Sequence, residues 1–147
     1  MKDADLVRAT RALALAARSL ERAVGANELT LAQFRVLSLV AAGDERSSLL
    51  ADRLAVAKPT ITAVVDGLVE RGLVARAAVA GDRRSIRLSL TPAGVAALRT
   101  AEREASAALA GILVHARDRD AVLAALVDLD AALAARSQAR LAGEVSA

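Results

Sequence analysis

Apolar residues recur every three or four positions along residues 3–24, the spacing of one face of an α-helix. This pattern predicts a first helix whose opposite face carries arginines. The arginines are Arg8, Arg11, Arg18 and Arg22. A second helix is expected over residues 31–41, because Thr30 can cap its start and Gly43 can end it. In this second helix Phe34, Leu37 and Val40 are expected to face the core.

Two shorter helices and a hairpin follow. A third helix is predicted over residues 47–54, and a fourth begins near Pro59 and stops at Gly72. Strands are predicted over residues 73–76 and 85–90, the second of which alternates apolar and polar side chains. The polar residues 80–84 between them are expected to form the turn.

The C-terminal third of the chain predicts two long helices. The first opens at Thr91 and Pro92 and runs towards Ala116, and the second starts at Asp118 or Asp120. The apolar stripe of the last helix contains Val122, Leu126, Leu129 and Leu133. Together with the first helix, these faces present more apolar surface than a lone helical cap should expose, which predicts a two-fold homodimer.

Composition excludes several classes of protein. With 147 residues the chain is long enough for one compact unit, and its net charge of +3 is too mild to indicate nucleic acid by itself. It has no cysteine, which excludes disulfides, thiolate metal sites and cysteine redox sensing. Charged residues interrupt every long apolar run and the N-terminus lacks a signal peptide, so we expect a cytoplasmic protein without a membrane partner.

The order of elements over residues 47–91 is that of a winged helix-turn-helix, which places its second helix in the DNA major groove. The predicted fold is therefore mainly α with a small β-wing. Residues 30–91 form the DNA-binding region in this interpretation. Residues 1–29 and 92–147 form a flanking helical dimerisation region, and the two regions make one compact unit.

The chain also resembles the MarR family of bacterial transcription regulators over nearly its whole length. The matching segments are residues 31–37 (LAQFRVL), 50–54 (LADRL), 58–62 (KPTIT), 65–74 (VDGLVERGLV), 82–84 (DRR) and 88–94 (LSLTPAG). Each segment alone is weak, but their order and spacing are specific. The resemblance implies a dimer with interlocked terminal helices whose two winged lobes straddle a pseudo-palindromic site.

The predicted contacts with duplex DNA lie on two helices and the wing. They are Ser47, Lys58, Pro59, Thr60, Thr62, Ala63, Asp66, Asp82, Arg83 and Arg84. The family pattern Asp-x-Arg corresponds to Asp82 and Arg84, and the resemblance implies that the arginine enters the minor groove while the aspartate holds the wing. The alternative is that Arg83 and Arg84 are solvated charges at a hairpin tip.

The face of the recognition helix that we expect to be exposed, which includes Ala63 and Gly67, departs from the family pattern. Many members carry a long basic or polar side chain where Ala63 and Gly67 stand, so thymine methyl groups, threonine hydroxyls and DNA shape should matter more here. These contacts favour an AT-leaning operator. Asp66 has two interpretations, because its carboxylate can contact a base or orient a neighbouring arginine.

The favoured function is a ligand-responsive repressor whose effector occupies the cleft between the dimer body and the winged lobe. Candidate effector residues are Arg18, Arg22 and His115. An activator, or a constitutively bound regulator without an effector, is the alternative within DNA binding. A winged-helix protein-interaction module that has lost DNA is the alternative of another class.

Catalysis, metals and cofactors are not expected. No Ser/His/Asp set, Gly-rich phosphate loop or carboxylate pair can be assembled from the sequence. His115, the sole histidine, lacks companion ligands, so a structural or interface role is favoured over a metal site. The arginine face of the first helix is expected to be solvated. Phe34, the sole aromatic residue, is expected in the core and provides no platform for stacking single-stranded bases.

Overall fold

The computed structural model describes residues 3–43 and 46–145, and within them all side chains except those of residues 48, 82–85, 141, 144 and 145. The described elements, in chain order, are α1 (Asp3–Gly25), α2 (Leu31–Ala41), α3 (Ser47–Leu54), α4 (Lys58–Glu70), β1 (Val74–Val79), β2 (Asp82–Leu90), α5 (Pro92–Leu113) and α6 (Arg119–Val145). The predicted order of helices and strands is confirmed. So is the mainly α fold with a small antiparallel wing.

The winged lobe, which we define as α2 to β2, is built around one apolar core. Leu37, Leu50, Leu68 and Leu88 come from four different elements, and each is fully buried. Burying one such side chain stabilises the folded state by about 1.5–3 kcal/mol. Phe34 packs against this core, as expected, but lies at its edge and is only partly buried.

Local signals at the start of α2 act as predicted. The Thr30 hydroxyl accepts from the Gln33 backbone N–H at 3.1 Å, and the Gln33 side chain accepts from the Thr30 N–H at 3.0 Å. This reciprocal pair is a capping box, which satisfies two otherwise unpaired donors. At the other end of the lobe Gly72 takes a left-handed φ of 68° directly after α4, as a stop residue should.

The wing is longer than predicted, and its turn is shorter. Ala80 and Gly81 alone make the turn, since Val79 pairs with Asp82 and Gly81 adopts a φ of 84° that a left-handed turn position requires. The placement of residues 82–84 in the turn was therefore wrong, because their backbone belongs to β2. Ala78 pairs with Ile86, so residues 83–85 have no partners on β1 and form a bulge.

The base of the wing is fixed to α5 through one threonine and one glycine. The Thr91 hydroxyl donates to the Gly72 carbonyl oxygen at 2.6 Å and accepts from the Gly94 N–H at 3.0 Å. A Cβ atom on Gly94 would lie 1.9 Å from the Leu73 carbonyl oxygen. Only glycine therefore allows α5 to approach the wing this closely.

The three long helices pack against different parts of the chain. α1 packs against α5 and α2, whereas α6 contacts its own chain mainly through α3. Several large apolar side chains of α6 are exposed, namely Val122, Leu123, Val127, Leu129 and Leu133. Across residues 3–43 and 46–145, no helix combines the length and the apolar character that crossing a membrane requires.

Candidate nucleic-acid interface

The exposed stripe of α4 changes in charge along its length. The opposite face buries Ile61, Val65 and Leu68 in the lobe. The exposed positions are Lys58, Pro59, Thr60, Thr62, Ala63, Asp66 and Glu70. The N-terminal half of this stripe is neutral or cationic and the C-terminal half carries two carboxylates, so only the N-terminal half suits a polyanion.

The hydroxyl of Thr62 is already engaged within α4. Its Oγ1 donates to the Lys58 carbonyl oxygen at 3.0 Å, a bond to the preceding turn of the same helix. The hydroxyl oxygen can still accept a hydrogen bond, and the methyl group is exposed with the side chain. Thr62 can therefore meet a thymine methyl group or an amino donor of a base.

The start of α3 is not capped by the side chain of the residue before it. Ser47 is the first residue of the helix, and the side chain of the preceding Arg46 does not cap it. The N–H groups of a first helical turn lack partners within the helix and carry partial positive charge, which favours a phosphate. The Arg46 backbone also pairs with Arg87 of β2, which links α3 to the wing. Arg46 is not among the contacts predicted from the sequence.

Asp66 forms an ion pair with Arg76, which is also not among the contacts predicted from the sequence. The Arg76 Nη2 atom of β1 lies 2.5 Å from the Asp66 Oδ1 atom. Arg76 is two residues after the buried Val74, so the two share the face of β1 that is turned towards the helices. This alternation was readable from the sequence, but it does not name the partner on α4.

A second arginine ties the end of α4 to the start of α2. The Arg71 Nη1 atom donates to the Glu28 carbonyl oxygen at 2.7 Å, and it lies 3.4 Å from the Gln33 Oε1 atom.

Gly67 is half-buried, and a Cβ atom there would lie 3.6 Å from the Gln33 Nε2 atom. Gly67 therefore faces α2, and the expectation that it belongs to the exposed face was wrong.

The three predicted wing contacts can be placed by their backbone only. Asp82 pairs with Val79 at the hairpin end, and Arg83 and Arg84 lie in the bulge that follows. Their side chains lie outside the described part of the structure. The roles expected for Asp82, Arg83 and Arg84 thus stay predictions.

A cleft of about 280 Å³ lies between the winged lobe and α6. Its lining residues are Phe34, Arg35, Ser38, Leu39, Arg53, Leu54, Asp130, Leu133, Ala134 and Ser137. The lining is mostly apolar, with two guanidinium groups and one carboxylate at hand. It therefore suits a small apolar ligand that carries a polar or charged group.

The candidate effector residues named from the sequence do not line this cleft. Arg18 is exposed and pairs with Glu21 of the same helix at 2.9 Å. Arg22 and His115 are also exposed, the latter just after the end of α5. In the described part of the chain, no three His, Cys, Asp or Glu side chains are grouped so that they could hold a metal ion.

Comparison with known proteins places this architecture in a family. The sequence model described as the MarR family matches residues 27–85. The search of curated proteins returns no match.

Solved structures extend the match to nearly the whole chain. The transcriptional repressor CouR, a Rhodococcus jostii protein solved with a 23-mer DNA duplex, is 30% identical with a TM-score of 0.74, covering 89% of this chain and 96% of CouR. The Mycobacterium tuberculosis regulator MosR, solved with DNA, is 29% identical with a TM-score of 0.65, and the match covers 92% of this chain and 99% of MosR.

A third solved structure has a similar sequence identity and TM-score. It is a Mycobacterium tuberculosis MarR-family protein in complex with p-aminosalicylic acid, 26% identical with a TM-score of 0.72, covering 88% of this chain and 99% of that protein. With the lobe, wing and flanking helices already described, these matches establish that the chain belongs to the MarR family of winged-helix transcriptional regulators.

Proposed function

We propose that this chain is a homodimeric repressor that binds duplex DNA at a pseudo-palindromic operator in the bacterial cytoplasm and releases it when a small ligand binds. The observation that carries the proposal is the N-terminal half of the α4 stripe. It is exposed, neutral or cationic, and projects from a lobe whose own core is complete. An α-helix end of this kind is what enters the major groove in helix-turn-helix proteins.

Two further surfaces would support the same contact. The first turn of α3, beginning at Ser47, offers backbone donors to a phosphate. The wing would place Arg84 in the minor groove, with Asp82 holding the hairpin, as the family pattern implies. The DNA-bound structures of CouR and MosR agree with this proposal.

The homodimer follows from apolar surface that the chain itself leaves open. Leu123 and Val127 of α6 are 45% and 65% exposed, and Leu15 of α1 is 74% exposed. Exposed apolar side chains on long helices favour burial against a second copy. Two lobes joined in this way can dock in successive major grooves, which are roughly 34 Å apart.

The ligand site in this proposal is the cleft between α2, α3 and α6. A ligand bound there would release DNA only if it favoured a lobe spacing that does not fit successive grooves. The p-aminosalicylic acid complex of a relative supports a small-molecule effector in general. Repression itself would be tested by transcription from a promoter that contains the operator, where added protein should lower the yield.

The decisive experiment begins with selection of duplexes by the protein from a random-sequence library. Binding of the selected duplex and of a scrambled duplex is then measured across a salt series. We expect enrichment of a two-fold related sequence and a steep loss of affinity with salt, because bound phosphates release counterions. The absence of both enrichment and salt-dependent binding would favour the interaction-module alternative.

A further inference from the structure

Of the ion pairs described, the one between Asp66 and Arg76 differs from its counterparts in where it lies. It joins α4 to β1, whereas the pairs Arg18–Glu21, Arg103–Glu104 and Arg119–Asp120 each lie within one short stretch of helix. The side chain of Arg76 is 35% exposed, against 70% for Arg18 and 71% for Arg103. Arg76 is therefore held against the lobe to an extent that a solvated surface arginine is not.

Asp66 lies on the face of α4 that would meet DNA. It follows Thr62 by four positions and Ala63 by three, and residues with these spacings are neighbours on a helix surface. The Asp66 side chain is 57% exposed. A carboxylate at this place, if it were unpaired, would repel the phosphates of any duplex that approaches the N-terminal half of α4.

We propose that Arg76 is a positioning residue for the DNA contact, which holds the base of the wing to the recognition helix and neutralises the Asp66 carboxylate on its DNA-facing side. This inference rests on the proposed function. The pair ties together the two parts that must enter adjacent grooves, since Asp66 belongs to the helix and Arg76 to the first strand of the wing. It also explains how an acidic residue is tolerated in the middle of the stripe.

The geometry argues against a base-reading role for Asp66. Its Oδ1 atom accepts a hydrogen bond from the Arg76 guanidinium, a charge-assisted contact. Turning the carboxylate towards a base would break that contact and leave both charges unpaired.

The test is a double-mutant cycle on the full chain with a duplex selected by the wild-type protein and with a scrambled duplex. Arg76→Ala should weaken binding to the selected duplex by about tenfold, because it exposes the Asp66 charge and loosens the wing. Asp66→Ala should cost about threefold. The double variant should bind better than Arg76→Ala alone, to within about threefold of wild type, because removing the carboxylate removes the repulsion.

Arg103→Ala is the matched control, since it removes the same charge from an exposed pair on α5 whose atoms are 3.3 Å apart. It should leave affinity for the selected duplex within about twofold of wild type. The midpoint of thermal unfolding of each of the four variants should stay within about 4 °C of the wild-type midpoint, because exposed ion pairs add little stability. The stronger binding of the double variant than of Arg76→Ala is the result that a purely structural role of Arg76 would not produce.

Three results would overturn the inference. If Arg76 contacted phosphate directly, Asp66→Ala would strengthen binding and would not rescue Arg76→Ala. If Asp66 read a base, Asp66→Ala would change the selected sequence while Arg76→Ala would not. If the pair were inert, all variants would bind as Arg103→Ala does. Failure of the wild-type protein to select or bind any duplex would instead reject the proposed function.

Discussion

The winged lobe and α6 use the same apolar residue types and bury them to very different extents. In the lobe, Leu37, Leu50 and Leu68 have no exposed surface, because α2, α3, α4 and β2 all meet at one point. In α6, Val122, Val127 and Leu133 are 40%, 65% and 53% exposed. The comparison teaches that the number of elements that converge on a face decides its burial, and the apolar content of the face does not.

This difference separates two tasks. The lobe completes its core within one chain and can present α4 and the wing as a rigid surface. α6 leaves large apolar side chains exposed, and in the proposed dimer a second copy of the chain would cover them.

The largest effect is expected in the lobe core. Leu68→Ala should lower the free energy of unfolding by about 2–5 kcal/mol, because it removes buried atoms and leaves a cavity. Val127→Ala, which truncates an exposed side chain of α6, should change the free energy of unfolding of the lobe by less than about 0.5 kcal/mol. Hydrogen exchange at α2 and α4 amides measures both, and equal losses would contradict the division.

The next effect concerns the proposed dimer. Val127→Asp should weaken dimer association by about 100-fold, since a buried unpaired carboxylate costs several kcal/mol. Val127→Thr has nearly the same size without the charge and should weaken association far less. Sedimentation equilibrium measures both, and an unchanged dimer in Val127→Asp would show that this face is not the interface.

A smaller effect is expected at the wing. Arg84→Ala should weaken operator binding by about 1–3 kcal/mol if the guanidinium enters the minor groove. Arg103→Ala again provides the control for loss of one charge. Titration of the selected duplex at physiological salt measures both, and equal affinity of the two variants would identify Arg84 as a solvated charge.

The smallest effect concerns a cap inside the lobe. Thr30→Ala should cost about 1 kcal/mol of stability, because the Gln33 N–H loses its acceptor at the start of α2. Thr10→Ala in α1 is the matched control, since its hydroxyl only donates to the Leu6 carbonyl oxygen within an exposed helix. Urea unfolding should separate the two, and a loss no larger than that of Thr10→Ala would reject the capping role.

Local signals in the sequence were sufficient for most of the fold. Thr30 and Thr91 cap helices through backbone N–H groups three residues away, and Gly72 acts through one backbone conformation, so these roles were readable in advance. The apolar stripe of α6 also indicated an interface, because its periodicity needs no partner to be recognised.

Features that depend on distant contacts were not readable. The bulge at residues 83–85 is set by the pairing of Ala78 with Ile86, and periodicity within β2 does not reveal it. Gly67 is half-buried because Gln33 of α2 lies beside it. The sequence left Asp66 with two interpretations, a base contact or an arginine partner, and only the packing of β1 on α4 brings Arg76 to it.

The central claim is that two lobes, joined by their helical extensions, read one duplex. The most direct measurement is the mass of the complex with the selected duplex by analytical ultracentrifugation. Two chains per duplex are predicted, with no one-chain complex at low protein concentration. A stable complex of one chain with one duplex, at full affinity, would contradict the account.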